Sequence, residues 1–204
     1  PRPVGQRLRQ MAGTLLASVC LGAAAAPADE ASRPVADPHY GDGLFHFFQE
    51  QYFTSITTLM VSQHFGRVEH HADEAEVLRG GMLLSYGLHK EAGEIFAQLI
   101  EKGAAPSVRD RAWFYLAKIR YQRGFVAEAE DAIQRIGDRL PPALEEERQL
   151  LRANLRMVRE DYAGAAAVLE SLVAREGASA FARYNLGVAL IRSGDPKRGS
   201  ALLD

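Results

Sequence analysis

The chain has 204 residues, 47% of them hydrophobic, enough for one extended core or a short repeat array. Lys and Arg total 24 against 26 Asp and Glu, so no cationic excess is available for a nucleic-acid backbone. Alanine and leucine are abundant while Val-Thr-Ile runs of strand length are scarce, which predicts an all-α fold with no β-sheet.

In chain order, the first stretch reads as targeting sequence. Arg2, Arg7 and Arg9 precede a small-apolar run from Met11 to Ala26, and Ala26-Pro27-Ala28 offers a cleavage site, with a cut after Ala25 the alternative. The run is short for a membrane span and no stop-transfer pattern follows it. A secretory signal over residues 1–28 is therefore expected, with the periplasm as destination. Its removal takes three arginines and no acids, leaving 21 basic and 26 acidic side chains and a net charge of −5. Cys20, the single cysteine, lies inside this segment, so the mature chain would have no thiol, disulfide or cysteine-based metal site. Acylation of Cys20 is the rival reading, but Ala17-Ser18-Val19 lacks the usual leucine three residues before the cysteine. Because Pro1 is not a methionine, a start upstream is expected. Residues 29–40 follow as a proline-punctuated linker with little to bury, expected to be disordered.

Beyond the linker, self-comparison is the strongest signal. Ala92, Ala129, Ala165 and Gly199 are each followed four residues later by a large apolar side chain: Phe96, Ile133, Leu169 and Leu203. The spacings of 37, 36 and 34 residues are the period of a two-helix repeat. Gly87, Gly124 and Gly194 stand five residues before three of the four, where a tight turn between helices needs a positive φ. Antiparallel helices approach closely only where one presents a small side chain, and the large residue one turn on fills the groove. Helices are expected at 41–50, 53–64, 73–86, 89–102, 107–123, 126–138, 143–160, 162–175, 178–193 and 196–204, grouped as a degenerate capping pair (41–72) and repeats at 73–106, 107–142, 143–177 and 178–204. The last is cut short, and Leu202 and Leu203 are followed by no polar capping helix; either the array continues in a longer protein or a partner covers that face.

The pattern resembles the tetratricopeptide repeat family. Trp113, Leu116, Ala117, Gly124, Ala129 and Pro141 fall on its signature positions in order, and Tyr184-Asn185-Leu186-Gly187 with Gly194-Asp195 comes close to its consensus. The third repeat keeps Ala153, Tyr162 and Ala165 but has Glu160 where glycine is usual; the first keeps Gly80, Gly87, Ala92 and Phe96 without the tryptophan. The resemblance covers residues 73–204 well and 41–65 weakly. It implies a right-handed α-solenoid of antiparallel pairs whose first helices line a concave groove for a protein or peptide. Carried over, the groove would present Val77, Gly81 and Leu84, then Arg111, Phe114, Lys118, Tyr121 and Gln122, then Leu150, Asn154 and Met157, then Tyr184, Val188, Ile191 and Arg192. Among these, Tyr121 and Lys118 are expected to be the more exposed. Only Lys118, Asn154 and Arg192 approximate the carboxylate clamp of chaperone-binding versions, with Val77, Phe114 and Val188 at other clamp positions, which argues against that role.

Candidate chemistry is thin. Glu69-His70-His71-Ala72-Asp73-Glu74 could suggest a metal, but adjacent histidines on a regular helix do not face one site, and a solvated turn with Asp73 at a helix start accounts for it. His46 sits among Leu44, Phe45, Phe47 and Phe48 as a packed histidine. Glu145-Glu146-Glu147 reads as a solvated helix start, and Gly80-Gly81 as close packing. No phosphate loop, nucleophile elbow or Cys–His pair occurs, so no catalysis, cofactor, metal or small-molecule substrate is expected. The aromatics Phe45, Phe47, Phe48, Tyr52 and Phe53 read either as a cap buried over the end of the array or as an exposed contact patch; the cap is preferred because aromatics bury when neighbours are available. The functional expectation is a periplasmic interaction scaffold, membrane-associated only if lipidated or part of a larger protein. The alternatives are a periplasmic spacer of a longer outer-membrane secretion or polysaccharide-export protein, or the accessory array of an enzyme whose catalytic domain lies beyond residue 204.

Overall fold

The computed structural model describes residues 35–175 and 178–203. The expected signal, Cys20 and the first half of the expected linker lie outside them. The described residues form ten helices and no strand: α1 (Pro38–Phe48), α2 (Tyr52–His64), α3 (Ala72–Ser85), α4 (His89–Glu101), α5 (Pro106–Gln122), α6 (Val126–Gln134), α7 (Pro142–Val158), α8 (Tyr162–Val173), α9 (Ala180–Ser193) and α10 (Pro196–Ala201).

Local chemistry explains the starts and stops. Proline opens α1, α5, α7 and α10, where its missing N–H costs nothing and its fixed φ suits the first turn. Asp161, Ser179 and Asp195 cap α8, α9 and α10 by accepting from the N–H of Gly164, Ala182 and Arg198. Within pairs the chain reverses over the short turns 49–51, 86–88, 123–125, 159–161 and 194–195, so the helices of a pair pack side by side and antiparallel. Gly87, Gly124 and Gly194 hold φ of 78°, 83° and 102° at three of these turns. Between α7 and α8 Glu160 takes the same place with φ 63°, a conformation unfavourable for a side chain with a Cβ.

Two of the boundaries that differ from the sequence reading have a visible cause. The linker was expected to run to residue 40, yet α1 begins at Pro38, and Asp37 is buried, accepting from the His71 N–H (2.8 Å) and pairing with His70 Nδ1 (2.9 Å). A long-range carboxylate contact therefore orders the segment that composition marks as loose. α6 ends at Gln134 rather than 138 because Asp110, buried on α5, accepts from the Arg139 N–H at 3.0 Å and holds the chain in a turn.

Packing is serial. Phe47, Ile56, Leu59, Ala75 and Met82 join α1, α2 and α3; Val77, Phe96, Leu99, Ala112 and Leu116 join α3, α4 and α5. Phe114, Ala129, Ile133, Leu151 and Leu155 then join α5, α6 and α7, and Ala153, Ala165, Leu169, Leu186 and Leu190 join α7, α8 and α9. Each cluster thus spans one pair and the first helix of the next, as expected when no pair buries its face alone. The phased small residues sit at the crossings. Ala92, Ala129 and Ala165 are fully buried, and a Cβ at Gly80 would lie 2.7 Å from the Phe96 ring. The central first helix, α5, touches α3 on one side and α7 on the other, and no second helix has comparable contact with the next second helix.

Candidate binding face

One face of α5 carries an organised polar surface. Arg111, Tyr115 and Lys118 recur at helical spacing and so share one face. Lys118 Nζ reaches Glu147 on α7 at 2.8 Å, bridging two first helices, and lies over the Phe114 ring. Tyr115 stacks on Phe96 at 4.9 Å, and its hydroxyl lies opposite Gly81 of α3. Burial, with Glu147 adding and Arg111 opposing, pushes the Tyr115 phenol up to about 12. Arg111 donates through Nε to the Ser107 carbonyl, while its Nη2 is shielded from solvent without a hydrogen-bond partner among the described residues. On α9, Asn185 Nδ2 is in the same condition. A shielded donor left unpaired costs about 1–3 kcal/mol, and an outside acceptor meets it only when the side chain turns outward.

The structure separates the residues expected in a groove by burial and by partner. Phe114 is a correction: at 1% exposure it is a core residue, filling the space between α5 and α7. Val77 and Leu84 are likewise buried. Tyr121 and Lys118 are a second correction, since neither is freely exposed. Tyr121 packs against the α5–α7 core, where burial raises its phenol, and Lys118 is held by Glu147. Met157 and Leu150 lean on the α7–α9 core. Gln122 and Arg192 are exposed but turn back onto the start of the preceding second helix: Gln122 meets His89 at 3.0 Å, and Arg192 donates to the Tyr162 hydroxyl at 2.8 Å. Arg111, Asn154, Val188, Tyr184 and Ile191 remain, partly or well exposed. Sequence reading missed Tyr115, Glu147 and Asn185. The helical spacing of Tyr115 from Arg111 and Lys118 was the available signal; the Glu147 contact had none.

The other sequence features resolve by contact. His70 pairs with Asp37, and His71 stacks on Tyr40 at 4.7 Å and accepts from the Ala36 N–H. Among the described residues no three His, Asp or Glu side chains converge on a point that could hold a metal ion. His46 pairs with Gln51 at 2.8 Å. The preferred cap reading of the first aromatics is corrected: only Phe47 is buried, whereas Phe45, Phe48 and Phe53 face solvent. A cleft of about 360 Å³, lined by Gln63, Val68, Glu76, Arg79, Ile95 and Lys102, draws on α2, α3 and α4. Its cations are engaged, Arg79 with Glu76 and Lys102 with Asp73. No helix among the described residues is long and apolar enough to cross a membrane.

No protein-family model matches the chain, and no curated protein matches it.

Proposed function

We propose that this chain is an exported interaction scaffold: a right-handed, tetratricopeptide-like solenoid that holds a protein or peptide segment along the inner face of α3, α5, α7 and α9. The observation that carries the reading is that each of these four first helices holds one shielded side-chain donor without a partner among the described residues: Arg79 Nε, Arg111 Nη2, Arg148 Nε and Asn185 Nδ2. Peptide carbonyls or carboxylates are the acceptors such donors suit. The contacts of α5 with α3 and α7, without matching contacts between second helices, support an array that curves with its first helices inside. Export rests on the basic-apolar-small pattern of residues 1–28.

The test is retention of a co-purifying envelope protein by the chain and its variants. Tyr184→Ala and Arg111→Met remove an exposed aromatic and a spare donor, the residue types that most often carry interface energy, so each is expected to weaken retention by about tenfold. Tyr184→Ala is also expected to keep the wild-type melting temperature, which separates binding from stability. Undiminished retention by both variants would move the contact surface off this face.

A further inference from the structure

The second helices of successive pairs do not share one outer chemistry. α4 exposes Glu91, Glu94 and Glu101, and α6 exposes Glu128 and Asp131. α2 contains no Asp, Glu, Lys or Arg in 13 residues. Its solvent side instead carries Phe53 at 72% exposure, Met60 at 50% and Val61 at 54%, with Thr57 and His64 between and Phe65 at 62% just beyond. Ser55, Ile56, Leu59 and Ser62 are buried on the opposite side, toward α1 and α3, so the fold does not require the outer apolar row. Exposed Phe45 and Phe48 extend the apolar surface at the turn between α1 and α2. So many large apolar side chains in contact with water mark a surface that something covers.

We propose that a second copy of this chain covers it, α2 packing antiparallel against α2 of the other chain about a two-fold axis between Thr57 and Met60. Two features favour this occupant. The spacing Phe53, Thr57, Met60, His64 runs four, three, four, the period of a helix–helix seam. An antiparallel pair then sets Phe53 opposite His64 and Thr57 opposite Met60, a register the two-fold maps onto itself. In an isologous contact every charge meets a like charge near the axis, so a helix without formal charge is what self-pairing needs. A lipid surface fits less well. Arg67, its guanidinium over the Phe65 ring at 5.2 Å, is the only Lys or Arg from Val35 to Leu78, far short of the basic cluster that anionic headgroups require. The inference goes beyond the groove reading and does not depend on it.

Sedimentation equilibrium of the full chain, carrying Cys20→Ser, tests the pairing from about 1 to 100 μM. A reversible monomer–dimer equilibrium is expected, unaffected by Tyr184→Ala on the inner face. The double variant Thr57→Glu/Met60→Glu sets acids opposite one another across the axis and is expected to remain monomeric with unchanged helical circular dichroism and melting temperature. In the Cys20→Ser background alone, a mixture of Thr57→Cys and Met60→Cys chains is expected to cross-link by disulfide more readily than either alone. A single monomer mass over the whole range would overturn the proposal. So would a dimer that survives the double variant, or equal cross-linking in the mixture and in the separate chains.

Discussion

Gly199 has no room for a methyl group. A Cβ there would lie 2.6 Å from the Gly187 carbonyl oxygen and 3.0 Å from the Ile191 nitrogen, both backbone atoms that cannot swing aside. Gly199→Ala is therefore expected to cost about 1–3 kcal/mol, read as a lowered melting temperature. Glu160 presents the converse case. Its φ of 63° strains a side chain that glycine would spare, so Glu160→Gly is expected to stabilise by about 0.5–1 kcal/mol, after the extra chain entropy of glycine is subtracted. Tyr115 supplies a pH signature. With its folded pKa raised to about 12 above an unfolded value of about 10, the folded state holds the proton more tightly. The stabilisation is complete below pH 10 and is lost as pH rises through 12. Titration of wild type against Tyr115→Phe by tyrosinate absorbance and by alkaline unfolding should differ only across that window.

At the scale of elements, stability depends on how closely the helices of a pair approach. Ala129 is fully buried where α6 crosses α5, packed in a cluster with Phe114 and Ile133. Ala129→Leu is expected to destabilise by about 1–3 kcal/mol in thermal melts, because the branched side chain forces the pair apart. An unchanged midpoint would contradict that crossing. The strap before α1 has its own dependence. Burial raises the Asp37 carboxyl, but the His70 side chain and the His71 N–H outweigh it, leaving the pKa below the ordinary carboxylate value. A depressed carboxylate contributes stability above the unfolded pKa and loses it as pH falls through the folded one. Asp37→Asn should therefore lower the melting temperature at neutral pH, and the gap to wild type should close below about pH 4.

For the whole molecule, the serial core implies graded rather than uniform stability. Each cluster joins one pair to the next first helix, and α5, at the centre, touches first helices on both sides. Hydrogen exchange is expected to be slowest in α5 and faster toward α1 and α10, since the ends of such an array have one neighbour instead of two. Equal protection along the chain would mean a single cooperative core. Export is open to a direct check: N-terminal sequencing of protein recovered from the periplasm should begin after Ala28 or Ala25, whereas an intact Pro1 on a cytoplasmic product would refute it.

The sequence by itself determined the helices and their pairing, because both follow from chemistry that is local or recurs at a fixed interval. Proline starts, positive-φ turns and the phase of Ala92, Ala129, Ala165 and Gly199 are readable without knowing what lies across the core. Even the αL turn at Glu160 could be anticipated from the repeat phase, against the identity of the residue. Only the tertiary structure decided which residues of the expected groove are free. The family resemblance implied a groove lined by Phe114, Tyr121 and Lys118, but α7 arrives to bury the first, shield the second and pair with the third. Gln122 and Arg192 lost their freedom to His89 and Tyr162 of the preceding pairs. The aromatics at the start of the array went the other way, because no described helix lies over the outer sides of α1 and α2. Exposure is set by the neighbours that packing brings from elsewhere in the chain, and periodicity within one helix does not specify them.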